Sequence, residues 1–254
     1  MTLRRFLPFL IAAVGLFAIA LVPSNADLTI KARSVVTVPP NMANKQLAGA
    51  ISAVMGNNTD SVVYINSKKM RFDNAFFIML ADSATGSLLM LNPANKTYIV
   101  SSLTAVSINA AGGVGALGQS SGRTVVDTGK TTTLMGHVAR HYVVSLTIKF
   151  NDQATTVTQD ILAAQDFAAA DLDAWGKMFG KATGIEIKGI PLVSTMKMAG
   201  GLLDGITTLD EVTSLSSDPI RPAVFAIPEG YTEAAMPAPP TPPAATQTPA
   251  EGGK

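Results

Sequence analysis

An alternation of apolar and polar residues along one segment constrains this fold more than any other feature of the sequence. Over residues 138–150 the even positions are mostly apolar and the odd positions mostly polar, with Arg140 the exception on the apolar side. A period of two is typical of a β-strand with one buried face. The pattern predicts a strand on which Tyr142, Val144 and Leu146 point to a core or cavity.

Short apolar segments separated by turns surround this strand. The sequence predicts strands at residues 76–81, 87–91, 96–100, 155–162, 185–199 and 206–215, and a hairpin about Asn66 and Ser67. Pro191 is expected to interrupt the strand that contains it. A short helix is also predicted at residues 45–54. Several strands at this regular spacing favour an antiparallel sheet over alternating strands and helices.

One amphipathic helix is predicted at about residues 166–183. Leu172, Trp175, Met178 and Phe179 fall on one of its faces at helical spacing. Acidic residues near its start and lysines near its end suit the helix macrodipole. The expected fold is therefore mainly β (α+β): a curved antiparallel sheet or half-barrel with this one helix as a cover.

The two ends of the chain differ from the middle. Arg4 and Arg5 precede an uncharged apolar run, and small residues stand before Asp27, which is the layout of a secretory signal peptide at residues 1–26. Cleavage after Ala26 would place the protein in the periplasm or outside the cell, whereas an uncleaved segment would act as an anchor. Residues 236–254 are rich in proline and are expected to be a disordered tail. Residues 27–235 then form one sheet domain.

Charge and cysteine content exclude several classes of function. The chain has 19 basic and 18 acidic residues, and removing Arg4 and Arg5 leaves 17 against 18. Because no basic patch occurs, a nucleic-acid partner is not expected. The chain has no cysteine, so neither disulfides nor a lipidated thiol can contribute to its stability or anchoring.

Two motifs suggest nucleotide binding, but their surroundings do not support it. Gly129-Lys130-Thr131 lacks the upstream glycine of a phosphate-binding loop, and Gly129-Lys130 is interpreted as a turn between two strands. Residues 113–118 match the glycine pattern of dinucleotide-binding folds, but a loop and a strand follow them instead of a helix. No nucleotide or other cofactor is therefore expected.

His137 and His141 have the spacing of a helical metal site, but they belong to the predicted strand. Residues four apart on a strand are separated by about 13 Å, so these two cannot share one metal ion and are expected to point to solvent. Asp60, Asp73 and Asp82 are isolated in the sequence. With no nucleophile and base in a recognisable pattern, no catalytic or metal site is predicted, and the protein is not expected to be an enzyme.

Four stretches occur in a characteristic order: "KMRFD", "GSLLMLNPANKTY", "TGKTTTLMGHVARHYVV" and "PAVFAIPEGYTEA". Together, over about residues 28–233, they resemble the secreted bacterial proteins grouped as domain of unknown function 4412. That family is similar in fold to the periplasmic lipoprotein carriers of the Lol system, in which helices cap a curved antiparallel sheet over an apolar cavity. The resemblance implies such a fold and supplies no catalytic residues. Ala139, a glycine-rich insert and the proline-rich tail depart from the family pattern.

The leading hypothesis is a non-catalytic protein that binds an acyl chain, a lipid or a lipidated partner between sheet and helix. Its basis is an apolar helix face opposite a methionine-rich sheet, because methionine suits varied apolar ligands and ligand sites are mostly apolar and concave. The predicted lining is Leu172, Trp175, Met178, Phe179, Tyr142, Val144, Leu146, Met196 and Met198. The alternative is an envelope scaffold with a filled core, which would reach an envelope protein through its proline-rich tail.

Overall fold

A computed structural model describes residues 27–40, 59–102, 119–150, 153–166 and 187–235. These residues form mainly β-strands, together with two short 3-10 turns at Gly201–Leu203 and Pro222–Phe225. In this part of the chain no helix is long and apolar enough to cross a membrane.

Twelve strands of the described residues form a single sheet. They are β1 Leu28–Thr37, β2 Thr59–Ile65, β3 Lys69–Asn74, β4 Ile78–Asp82, β5 Ser87–Asn92, β6 Thr97–Ser102, β7 Gln119–Leu134, β8 His137–Phe150, β9 Gln153–Ala164, β10 Ile190–Ala199, β11 Thr207–Ser216 and β12 Thr232–Glu233. Their order across the sheet is β12-β6-β5-β4-β3-β2-β1-β11-β10-β9-β8-β7. Two antiparallel series, β1–β6 and β7–β11, are thus joined where β1 pairs with β11.

Most of the core lies on one face of this sheet, while Leu80, Leu91 and Ile190 are buried on the other. Residues that lie directly opposite each other on paired strands project to the same side of the sheet. The strand register therefore shows which residues share the side that carries most of the core, and we call this side the buried face. In β1–β5 it presents Leu28, Ile30, Ala32, Val63, Ile65, Met70, Phe72, Met79, Ala81 and Leu88. In β8–β11 it presents Tyr142, Val144, Leu146, Ile148, Val157, Ile161, Met196, Met198 and Thr208.

The C-terminal segment packs against the opposite face. Arg71 of β3 donates a hydrogen bond from Nη1 to the carbonyl oxygen of Val224, 2.8 Å away. Phe225 beside it is buried, and β12 then pairs in parallel with β6. Residues 217–235 therefore run from β11 across β3 to the outer edge of β6.

The mainly β prediction is confirmed, but the expectation of a sheet covered by one helix is wrong. The described residues form one twelve-stranded sheet and contain no α-helix. The segment assigned to the helix, from residue 167 onward, and the helix predicted at 45–54 lie outside the described residues. Helical spacing of apolar residues shows that a helix would be amphipathic, and it does not establish that one covers the sheet.

The interpretation of Gly129-Lys130 as a turn between strands is also wrong. Strand β7 continues through both residues, and the chain reverses at Met135 and Gly136. Asp127 pairs with Tyr142 and Thr131 with Arg140, so three residues of β7 lie opposite His141 alone. The turn-like chemistry of Gly129 therefore serves a bulge within one long strand.

A glycine at the start of β10 gives a test of the packing between β9 and β10. Gly189 has φ +97°, and a Cβ there would lie 2.0 Å from the backbone oxygen of Ala164. Gly129→Ala is the matched control, because Gly129 also has positive φ (+72°) but has open space around its Cβ position. We expect Gly129→Ala to cost about 1–2 kcal/mol from strain alone. Gly189→Ala should cost at least about 3 kcal/mol, since backbone must also move. Urea denaturation midpoints measure both, and equal losses would contradict the close contact.

Candidate functional site

The structure brings together the five sequence-predicted site residues that it describes. Strand β9 lies between β8 and β10, and its Gln159 pairs with Val144 on one side and Met196 on the other. One step along, Val157 pairs with Leu146 and Met198. The residues concerned, Tyr142, Val144, Leu146, Met196 and Met198, are all at most 6% exposed on the buried face.

The other four predicted lining residues lie outside the described part of the chain. They are Leu172, Trp175, Met178 and Phe179. The candidate site is therefore built on the sheet alone.

A row of polar residues crosses this apolar face, and the sequence reasoning did not identify it. Gln159 of β9 donates from Nε2 to Ser194 Oγ of β10, 2.8 Å away. Ser194 pairs with Asp210 of β11, and Asp210 pairs with Ser34 of β1. The Ser34 hydroxyl donates to Asp210 Oδ1 in a very short hydrogen bond. The polar row Gln159–Ser194–Asp210–Ser34 thus spans four neighbouring strands.

Asp210 is the ionisable member of the polar row. Burial raises the pKa of its carboxyl above the ordinary value, and the hydrogen bond from Ser34 opposes that shift. The charged pair nearest to it in register, Arg33 and Glu211, projects to the opposite face. Desolvation without a cation on the same side favours the neutral acid, which can donate a hydrogen bond.

Two further hydroxyls beside the row have no hydrogen-bond partner among the described residues. They are Ser61 Oγ on β2 and Thr208 Oγ1 on β11, and both residues are 5% exposed on the buried face. Thr155, by contrast, donates to the carbonyl oxygen of Gly200 at 2.9 Å. A buried hydroxyl without a partner costs about 1–3 kcal/mol, so Ser61 and Thr208 are unusual features of this face.

A small cavity adjoins the row. It has a volume of about 10 Å³ and is lined in part by Ala32, Leu192, Ser194, Asp210 and Val212. That volume is close to the minimum that one water molecule requires. The cavity can accept a single polar atom of a ligand, whereas a longer chain would require the surrounding side chains to move.

Charged residues mark the β7 end of the same face. Arg140 donates from Nε to Asp127 Oδ1 at 2.7 Å, and its guanidinium holds the pKa of Asp127 below the usual value. Arg123 lies in a second bulge of β7. Its Nε is buried without a partner in the described residues, and burial lowers the pKa of its guanidinium.

The two histidines project from the other face, and each contacts its own carboxylate. His141 Nε2 lies 3.0 Å from Asp160 Oδ1, and its Nδ1 lies 3.1 Å from Thr128 Oγ1. His137 Nδ1 lies 3.1 Å from Asp166 Oδ1. The threonine, histidine and aspartate form a line like that of a hydrolase, but Thr128 donates its hydroxyl proton to the carbonyl oxygen of His141. That proton is therefore engaged by the backbone, and the cluster ties the β7 bulge to β8 and β9.

The isolated aspartates of the sequence have structural partners. Asp60 bonds Arg33 at 3.0 Å, and Asp73 bonds Arg71 at 2.7 Å. Asp82 accepts a hydrogen bond from the backbone nitrogen of Ala84 in the turn after β4. Over the described residues, no three His, Asp or Glu side chains converge as metal ligands.

The pH dependence of stability tests the environment of Asp210. Because the folded-state pKa is raised above that of the unfolded chain, about 3.9, the carboxyl contributes stability below that value. The contribution is lost as pH rises through the folded pKa. Asp210→Asn stays neutral and keeps an acceptor for Ser34, so it should have a higher Tm than the wild type at pH 8, with the difference shrinking towards pH 4. Thermal unfolding across this range measures the effect. Glu211→Gln, on the exposed face, is the matched control, and an unchanged or lower Tm for Asp210→Asn at pH 8 would contradict a buried, unpaired acid.

Comparison with known proteins identifies the family of this chain. No match was found among curated proteins. The family described as "Domain of unknown function (DUF4412)" matches residues 41–231, which include β2–β11 and hence every residue of the polar row except Ser34. The chain belongs to the DUF4412 family.

Proposed function

We propose that this protein is a non-catalytic binding protein of the cell envelope that holds an acyl chain, a lipid or a lipidated partner against the buried face. The buried face is mainly apolar over nine strands, β1–β5 and β8–β11, and carries one polar row. Sites that bind an apolar chain with a polar end have this composition.

The distribution of methionine carries the proposal. Of the methionines in the described residues, only Met135 at the tip of the β7–β8 hairpin lies off the buried face, where it is 47% exposed. The others, which line the buried face on β3, β4, β5 and β10, are Met70, Met79, Met90, Met196 and Met198. Methionine side chains are flexible and polarisable, so a face rich in them can reshape around apolar ligands of different length.

The envelope location and the likeness to the Lol carriers also belong to this proposal. The location is supported by the arginines, apolar run and small residues of positions 1–26. The likeness is supported by an antiparallel sheet with one apolar face and an exposed strand at one edge, β7. A carrier of acyl groups needs such a face because the transferred chain is insoluble in water.

Binding would require side chains of the buried face to move. The residues at its centre are almost fully buried, and the cavity beside Asp210 has a volume of only about 10 Å³. A ligand that binds the folded state alone stabilises it by mass action. An acyl ligand at a fixed concentration should therefore raise Tm, and a ligand that binds more tightly should raise it further.

A matched pair of methionine substitutions tests the proposal. Met198→Gln places an amide on the buried face, and Met135→Gln makes the same change at the exposed hairpin tip. A dansyl-labelled undecanoate probe should bind the wild type and Met135→Gln equally. Because burial of a polar amide costs about 1–3 kcal/mol, Met198→Gln should bind at least about fivefold more weakly. Fluorescence titration measures the three affinities.

Two further measurements keep this test decisive. Met198→Leu should retain binding, which separates the added polarity from the loss of the thioether. Protein purified from its host should also release acyl lipids that mass spectrometry detects. Absence of both copurified lipid and probe binding would contradict an acyl-binding role.

A second function is favoured by the closeness of the packing itself. If the buried face is filled by its own side chains, the domain is a scaffold, and the proline-rich residues 236–254 would contact an envelope protein. They follow β12 and Ala234, and the Ala234 nitrogen donates a hydrogen bond to the carbonyl oxygen of Tyr98 at the edge of the sheet. The tail therefore starts from a fixed point on the domain.

Deletion of residues 236–254 tests the scaffold. The deletion should remove the tail-dependent envelope partner from crosslinked pull-downs while leaving Tm unchanged, because the described strands all precede residue 236. A tail of equal length with serine in place of proline is the control for length alone. If the shortened chain captures the same partner, the tail is not the contact.

A further inference from the structure

The edge strand β7 places a cation on the buried face without an acceptor for it. Thr124 pairs with Ser145 on the opposite face. Because side chains alternate along a strand, Arg123 projects to the buried face, where it lies opposite Leu146 in the bulge that precedes Thr124. The Arg123 Nε is buried and has no hydrogen-bond partner among the residues that the structure describes.

The surroundings of Arg123 explain neither its charge nor its buried donor. Next to it on the buried face stand Val125 on the same strand and Leu146 on β8, both apolar. The carboxylate of β7 belongs to Asp127, which is four residues or about 13 Å away and is bonded to Arg140 at 2.7 Å. The stem of an arginine can cover apolar side chains, but a methionine would cover them without burying a donor that lacks an acceptor.

An apolar lane leads from Arg123 towards the middle of the sheet. Leu146 of β8 pairs with Val157 of β9, and Val157 pairs with Met198 of β10. All three are at most 6% exposed. At the usual spacing of strands the lane covers about 14 Å from β7 to β10. The cation therefore stands at the outer end of the apolar lane, at the edge of the sheet, where a head group stays close to water.

The charges of the buried face favour an anion at the β7 end. Among the described residues this end carries Arg123, Arg140 and Asp127, and the Arg140–Asp127 pair leaves the charge of Arg123 uncompensated. Asp210 lies on β11, four strands and at least about 19 Å away, so it does not supply the missing charge. A guanidinium matches the oxygens of a carboxylate or a phosphate through two parallel hydrogen bonds, and Nε can be one of the two donors.

We propose that Arg123 binds the anionic head group, a carboxylate or a phosphate, of an amphiphile whose acyl chain lies along the apolar lane. The subsite rests on the proposed acyl-binding function and specifies its ligand class. Nε and one Nη of the guanidinium each donate a hydrogen bond to the head group, and Leu146, Val157 and Met198 contact the chain. Neutral and cationic amphiphiles of the same chain length are then weaker ligands.

Probes that share a ten-carbon chain and differ in charge test the subsite. Decanoate and decyl phosphate carry the two kinds of anionic head, monodecanoylglycerol is neutral, and decyltrimethylammonium is cationic. Calorimetric titration of the full mature chain, with each probe below its micelle concentration, should show the better anion binding roughly five- to thirtyfold more tightly than the glyceride, the effect of one charge-assisted pair. Which anion binds better distinguishes a fatty acid from a phospholipid head group. Acetate and inorganic phosphate should show no binding, because they lack the chain.

Variants of two cations locate the effect. Arg123→Met removes the charge and keeps an apolar stem, so it should fold with a Tm at least equal to that of the wild type. Its affinity for the anions should fall to that for the glyceride, while the glyceride affinity stays unchanged. Arg123→Lys keeps the charge without the paired donors and should retain part of the preference. Lys149→Met is the matched control, since Lys149 is exposed on the opposite face of β8, three residues from Leu146; it should keep the full preference for anions.

The outcomes separate the subsite from the function on which it rests. Equal binding of the anions and the glyceride by the wild type, a preference that survives in Arg123→Met, or a preference that is lost in Lys149→Met overturns the subsite and leaves acyl binding intact. Failure of every ten-carbon probe to bind overturns acyl binding and the subsite together.

Discussion

Burial of most of the apolar side chains on one face of the sheet is the constraint on which the rest of the structure depends. Each strand must keep one alternate set of side chains on that face, and a slip of one residue would turn the whole set to solvent. The constraint is most demanding where β1 meets β11, because that pairing joins residues as far apart in sequence as Ser34 and Asp210, 176 positions. A register shift between Lys31 and Ala32 there places Val212 and Leu215, three residues apart on β11, both on the buried face, opposite Ala32 and Ile30.

Local periodicity allowed the strands to be predicted, and the failures arose where local chemistry was ambiguous. The alternation in β8 was sufficient to predict the strand and its buried side, because residues two positions apart on a strand project to the same face. Val138 also follows this pattern, but it lies near the hairpin tip and is 50% exposed. At Gly129 the turn signals are real, since Asp127 Oδ1 accepts from the Gly129 nitrogen at 2.9 Å, but they form a bulge. Strand β1 was missed although Leu28, Ile30 and Ala32 alternate with polar residues, so its sequence held the signal.

The polar row could not be predicted by the same reasoning. Its members come from four strands, and each one alone looks like a polar residue that breaks an apolar pattern. Only the fold shows that Ser194 lies opposite Asp210 and that Gln159, which pairs with Met196, reaches Ser194 diagonally. The sequence shows polar residues at positions where the pattern expects apolar ones. Which of these polar residues become neighbours depends on how the strands pair, and that is a property of the fold.

The polar row also bears on the choice between a filled scaffold and a binding protein. A scaffold gains stability from apolar residues at every buried position, and burial of Asp210 with two unsatisfied hydroxyls opposes that gain. A ligand whose polar atoms reach any of these groups would satisfy that group only when bound, so free energy that the unliganded fold lacks would appear as affinity. In that case the least stable part of the core is also the part that recognises the ligand, as is common where function and stability compete. Stability and specificity of this sheet would then be set by the same few side chains.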